Sequence, residues 1–145
     1  MKNHKTLQAL EELLANTYAL LIKTQNYHWN VEGANFKGLH ELFEMQYNDL
    51  FTSIDEIAER IRALGTKVDA GFDSFSNSSK IKKGDKNLDA SAMIDDLVSS
   101  NDLVVKSLEA GIKTAQDEED EGTADLFIQR LKVHEKAIWM LQSSK

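Results

Sequence analysis

Residues 27–65 read YHWNVEGANFKGLHELFEMQYNDLFTSIDEIAERIRALG, and the periodicity within this stretch decides the fold. Leu39, Phe43, Gln46, Leu50, Ile54 (or Ile57), Ile61 and Leu64 recur at steps of three or four, the repeat of one helical face. Gly65 follows as a C-terminal stop, so a helix is expected over roughly residues 36 to 64. Before it, Val31-Glu32-Gly33-Ala34-Asn35 supplies a turn. Upstream again, Leu7, Leu10, Leu14, Thr17, Leu21, Gln25 and His28 mark another helix, over roughly residues 4 to 30.

Working outward, residues 65–88 are rich in Gly, Ser, Lys and Asp and too polar for a core element. Phe72 and Phe75 within them are expected to pin a short helical turn against the rest. A third long helix carries Met93, Leu97, Val98, Val104, Leu108 and Ile112, and a fourth carries Leu126, Phe127, Leu131, His134, Ile138 and Leu141. Two hairpins joined by one long crossover make an all-α chain with the ferritin-like variant of the four-helix bundle.

Composition narrows what such a bundle does. With 145 residues and 41% hydrophobic content, one domain spanning 1–145 is expected. There is no proline and no cysteine, so any metal must be held by nitrogen and oxygen. The opening Met1-Lys2-Asn3-His4-Lys5 leads straight into an amphipathic pattern, unlike a secretory signal or a membrane span, so the cytoplasm is the expected location. A net charge of −7 argues against a general nucleic-acid binder, because attraction to phosphate needs clustered Lys and Arg.

The helix over 36–64 has a second face. His40, Glu44, Tyr47, Phe51, Asp55 and Glu59 share one arc of its wheel, apart from the Leu/Ile stripe. Asp55 and Glu59 on an arbitrary helix would be solvated, but Tyr47 and Phe51 on the same arc point to a face buried against something. His40 and Asp55 lie about 22 Å apart along a straight helix, too far to share an ion within one chain. The pairs His40/Glu59 and Glu44/Asp55 are mirror positions about residues 49 and 50. An antiparallel copy of the helix across a two-fold axis would therefore set His40 opposite the partner's Glu59 and Glu44 opposite the partner's Asp55. The turn near residue 33 brings His28 back beside residues 38–40. The expected site is His28, His40 and Glu44 from one subunit with Asp55 and Glu59 from the other.

Two imidazoles and three carboxylates suit iron, manganese or zinc better than magnesium or calcium. Iron is favoured, because carboxylates stabilise the ferric product while imidazoles serve the ferrous reactant. Trp29, beside His28, reads either as an interface anchor or as an oxidisable ring that intercepts radicals, and Tyr47 is a second such ring.

The segment Tyr27-His28-Trp29-Asn30-Val31-Glu32-Gly33-Ala34-Asn35-Phe36 carries a resemblance together with Leu39-His40, Glu44, Asp55 and Ile57-Ala58-Glu59-Arg60-Ile61. With the ending His134-Glu135-Lys136-Ala137-Ile138-Trp139-Met140-Leu141, the chain closely resembles the DNA-binding proteins from starved cells, the Dps mini-ferritins. The resemblance implies a homododecameric hollow cage built from two-fold dimers. Such a cage is a ferroxidase that oxidises Fe(II), preferably with hydrogen peroxide, and stores the ferric product. It also implies that the positions matching His28, His40, Asp55 and Glu59 form the inter-subunit site. Glu44 is a departure, since many members carry aspartate there; the longer side chain would shift a second metal position.

The acidic run Asp117-Glu118-Glu119-Asp120-Glu121, followed by Asp125, reads by itself as a solvated corner whose charges favour the start of the fourth helix. The resemblance implies instead an iron-entry pore at a three-fold axis, lined by Glu121 and Asp125 with Asp117 next. Members that compact DNA commonly use a longer lysine-rich tail, whereas this N-terminus offers Lys2 and Lys5. Lys80, Lys82, Lys83 and Lys86 stand beside Asp85 and Asp89 and read as a solvated loop. Protection of DNA is therefore expected to be indirect, through removal of ferrous iron and peroxide; the alternative is a DNA-compacting structural protein. His134 reads as a hydrogen-bonded core residue, and His4 as incidental.

Overall fold

A computed structural model describes residues 3–145, leaving Lys2 of the basic N-terminus outside the described residues. The described chain is helical without strands: α1 (His4–Asn30), α2 (Phe36–Ala63), α3 (Phe72–Ser78), α4 (Ala90–Asp117) and α5 (Glu121–Gln142). The four long helices fall where the apolar periodicity puts them. α1 packs on α2, α4 packs on α5, and the two hairpins join mainly through α1 and α4, with α3 lying on α1. No helix among the described residues is long and apolar enough to cross a membrane.

The helix ends show why the chain breaks where it does. After α2, Gly65 takes φ +97°, its N–H bonds the carbonyl of Arg62, and Thr66 N–H reaches back to Ile61. This paired closure needs a left-handed residue, which glycine adopts without steric cost. Asp89 and Asp120 cap α4 and α5 by accepting from Ala92 N–H (2.8 Å) and Thr123 N–H (3.0 Å). α1 has no cap from its own Asn3. Glu118, from the corner between α4 and α5, serves instead, its Oε1 accepting from Thr6 N–H (2.7 Å) and Thr6 Oγ1–H (2.6 Å). These bonds, Thr6 Oγ1–H first, hold the Glu118 carboxyl below its ordinary range.

The core fills with the expected stripes. Leu10, Leu13, Leu20, Phe43, Ile57, Ile61, Met93, Leu97, Leu108 and Phe127 are fully enclosed, while Val98, Ile112 and Leu131 flank them half-buried. Each enclosed side chain contributes on the order of 2 kcal/mol relative to exposure, which fixes the helices against one another.

Buried polar groups of α1 hold down the crossover. Asn16 Oδ1 accepts from Lys80 N–H (2.8 Å) and Ser79 Oγ–H (3.1 Å). The Tyr27 hydroxyl donates to Asp96 of α4 and accepts from Asp85 N–H (3.2 Å). Burial, reinforced by the Asp96 carboxylate, pushes the Tyr27 phenol well above its ordinary value. Phe75 pins α3 by stacking on Tyr18 at 4.4 Å between ring centroids. Phe72 does not share that role. It is 88% exposed, because it borders an open groove with Ile22 rather than the bundle interior.

Candidate metal centre

The α1–α2 turn folds His28 onto His40. The two rings stack at 3.8 Å between centroids and 14° between planes. His28 Nδ1 lies 2.7 Å from the carbonyl oxygen of His40, and His40 Nδ1 lies 2.7 Å from the carbonyl oxygen of His28. A carbonyl only accepts, so both Nδ1 atoms carry the proton and donate. The neutral form of each ring therefore carries its lone pair on Nε2, the arrangement by which a backbone partner orients a metal-ligating imidazole. Phe36 stacks on the His40 ring (4.9 Å) and Tyr47 meets the His28 ring edge-on (5.2 Å), closing the apolar walls of the pair.

His28 is buried, and its Nε2 lies 3.7 Å from Glu44 Oε1. Asp55 and Glu59 are exposed further along α2, about 22 Å and more from His40 by helical rise. Among the described residues, no three His, Asp or Glu side chains converge to hold a metal within one chain. The structure thus brings His28 to both His40 and Glu44 and leaves Asp55 and Glu59 apart. On the ligand-bearing face of α2, Tyr47 is half-buried against His28 while Phe51 is 69% exposed. Trp29, next to His28, also stands in the open.

The acidic corner divides in two. Glu118 is taken up capping α1, and Asp120 by Thr123 and by Arg60, whose Nη2–H donates to it at 2.8 Å. Burial opposes the Asp120 charge, but hydrogen bonds from Thr123 and the Arg60 guanidinium outweigh it and hold the carboxyl below its ordinary range. Asp117, Glu121 and Asp125 remain exposed, Asp117 with Lys113 3.5 Å away.

His134 is the core residue that its apolar register suggests, 1% exposed, with Nδ1–H donating to Asn101 Oδ1 at 2.8 Å. Burial, with the nearby Arg130 charge, pushes its imidazole down to about 3, so it is neutral. Its neighbour Arg130, and Asp49 bonded to Arg130, do not show in the apolar periodicity. The available signal was a charged residue one turn before His134 in an otherwise apolar register. Lys80 pairs with Glu12 at 2.9 Å, while Lys82, Lys83 and Lys86 are solvated.

Comparison with known proteins bears on the whole of this arrangement. The ferritin-like domain family matches residues 7–144. DNA protection during starvation protein 2 of Bacillus anthracis is 34% identical over 141 residues, 97% of either chain. A Dps protein from Bacillus brevis superposes with a TM-score of 0.94 at 31% identity, over 97% of this chain and 95% of that one. Dps from Vibrio cholerae, described as a member of a broad superfamily of ferritin-like diiron-carboxylate proteins, has a TM-score of 0.93 at 32% identity, covering 98% and 89%. By sequence and fold, this chain belongs to the Dps family of ferritin-like proteins.

Proposed function

We propose that this protein is a cytoplasmic iron-detoxifying and iron-storing ferroxidase whose sites form between two chains. His28, His40 and Glu44 of one subunit and Asp55 and Glu59 of the other bind Fe(II) as substrate, and twelve chains enclose the ferric product. The reciprocal His28/His40 clamp is the observation that carries this reading. It holds two lone pairs ready beside Glu44, while the carboxylates needed to complete a ligand set face outward on the same helix. The surface around them suits a second copy. Ile22, Phe36, Phe51 and Phe72 are all exposed, and an apolar groove of about 510 Å³ runs beside Asp55 between Phe51, Ala58 and Val68.

Iron chemistry follows from the donor set. Two ferrous ions each give up one electron; hydrogen peroxide takes both, with two protons, and its O–O bond breaks to yield two waters. The carboxylates stabilise the ferric charge. Tyr47, 5.2 Å from the His28 ring, and Trp29, next to His28 in the chain, are the oxidisable rings that would give an electron to a stray radical. Asp117, Glu121 and Asp125, free of the capping that occupies Glu118 and Asp120, line the route by which cations enter at a three-fold axis. DNA is protected through removal of iron and peroxide, and a gel shift at physiological salt is expected to show no complex.

Complementation tests the inter-subunit site directly. His28→Gly and Asp55→Ala chains should each assemble and oxidise Fe(II) with peroxide poorly. Co-assembled in equal amounts, they should recover about a quarter of the wild-type sites, since half the dimers are mixed and each of those keeps one intact site. Recovery of nothing, from mixed cages of correct native mass, would sink the assignment.

A further inference from the structure

A second imidazole–carboxylate cluster, which the inter-subunit reading does not use, runs from the buried His134 and Arg130 out to Asp49, whose side chain is 42% exposed at the bundle surface. Arg130, 6% exposed, lies one turn before His134 on the inner face of α5. Its Nη2–H groups donate to Asp49 Oδ2 of α2 at 2.9 Å and to His134 Nε2 at 3.3 Å, and Nη1–H donates to Asp49 Oδ1 at 3.3 Å. The tautomer follows from a chain of donors. Asn101 Nδ2–H donates to the Leu97 carbonyl (2.8 Å), so its Oδ1 faces His134 and accepts from Nδ1–H. Nε2 therefore presents a lone pair to the guanidinium. A cavity of about 230 Å³ adjoins the cluster, lined by Asp49, Asn101, His134, Gln46, Thr24 and Lys136.

Packing alone does not call for a cation here. Arg130 Nε is buried without an acceptor, a cost an apolar side chain would avoid. What the guanidinium does satisfy is a carboxylate oxygen and an imidazole lone pair that converge on one nitrogen, a pair of donors that also suits a divalent transition metal. Ferritin-like bundles that hold metal in their core build the site from such groups projecting inward from facing helices. The Asn101–His134 bond is likewise the device that orients a ligating imidazole.

We propose that Arg130 is the resident cation of the bundle interior, its Nη2 standing where a divalent metal would sit between Asp49 and His134 and so keeping the interior free of metal. The guanidinium is covalently tethered and does not lose its charge near neutrality, so a dication approaching these donors meets both a filled position and a like charge. Burial and Arg130 hold His134 neutral, which keeps its lone pair committed to the guanidinium at physiological pH.

The readout is Co(II) stoichiometry, taken as the difference from a full-length parent whose inter-subunit ligands are removed by His28→Gln, His40→Gln, Glu44→Gln, Asp55→Asn and Glu59→Gln, so the outcome does not depend on whether those sites oxidise iron. In that background, Arg130→Glu, which adds a carboxylate one turn from His134, should bind one further Co(II) per chain with the visible absorption of a low-coordinate nitrogen–oxygen site. Adding His134→Gln should abolish it. Arg130→Leu, chosen in case the acidic variant fails to assemble, should bind Co(II) at least tenfold more tightly than its parent. The proposal is overturned if helical, assembled variants take up no more Co(II) than the parent. It is equally overturned if the Arg130-containing parent itself binds a Co(II) that His134→Gln removes.

Discussion

The histidine pair that bridges the end of α1 and the start of α2 and the histidine inside the bundle are built from the same residue types and face opposite fates. In both, Nδ1–H is spent on an internal acceptor, which aims Nε2. Inside the bundle that lone pair meets Arg130, and the cluster closes within one chain. At the α1–α2 turn it meets no cation, and the nearest carboxylate, Glu44, is half-exposed. The chemistry of a histidine–carboxylate cluster in this fold is therefore set by whether the chain supplies its own cation. One cluster is complete within the chain; the other, in the proposed function, is where a partner subunit would supply carboxylates and iron would bind.

Removing the internal cation should break the closed cluster with the largest effect. Arg130→Ala leaves the buried His134 lone pair without a donor and the half-exposed Asp49 without its cation. Loss of one member of a buried pair costs about 3–5 kcal/mol, and Asp49 is open enough to solvent to place this case at the lower end, about 3 kcal/mol. Chemical denaturation of the assembled protein measures it. At the open cluster, His28→Gly should cost about 1–2 kcal/mol, because it puts glycine in a helix and empties a buried, stacked position, and should slow Fe(II) oxidation by at least about tenfold, read by stopped-flow absorbance. A rate equal to wild type would mean that the clamp is structural only.

Acid separates the two clusters further. His134 is neutral in the fold, with its pKa pushed down to about 3 from an ordinary 6.5, so below pH 6.5 the unfolded chain binds a proton that the folded chain refuses. Arg130 and Asn101 are the polar groups in contact with it, with Asp49 bonded to Arg130 and Lys136 lining the adjoining cavity. Its contribution is fully present above about pH 6.5 and is lost as pH falls, by about 1.4 kcal/mol per pH unit and so by about 2 kcal/mol at pH 5. His134→Gln should flatten this part of the denaturation profile, and an unchanged profile would remove His134 as its source. The smallest effect is expected at the acidic corner. Neutralising Asp117, Glu121 and Asp125 together should slow iron uptake a few-fold at low ionic strength and hardly at all in high salt, with the folded state intact. Asp120→Asn, by contrast, should lower stability by about 1 kcal/mol through the lost cap and Arg60 pair.

The positions of the four long helices were legible because apolar spacing reports burial, and burial is what fixes a helix in a bundle. The turn that returns His28 to His40 was legible from chain length alone. Less could be read where partners are remote in sequence. Glu118 and Asp120 look equivalent to their acidic neighbours, yet one caps α1 from the far end of the chain and the other grips Arg60. Phe72 and Phe75 look alike in the crossover, yet only Phe75 meets Tyr18.

The sequence by itself determined the helices, their order and the two histidines with three carboxylates that α1 and α2 carry, because those depend on local period and rise. The tertiary structure alone decided which imidazole nitrogens are free, which acidic groups are consumed by caps, and that a guanidinium fills the bundle's interior. These are matters of distance between groups that the chain separates by tens of residues, and only packing brings such groups within the 3 Å or so over which a hydrogen bond acts.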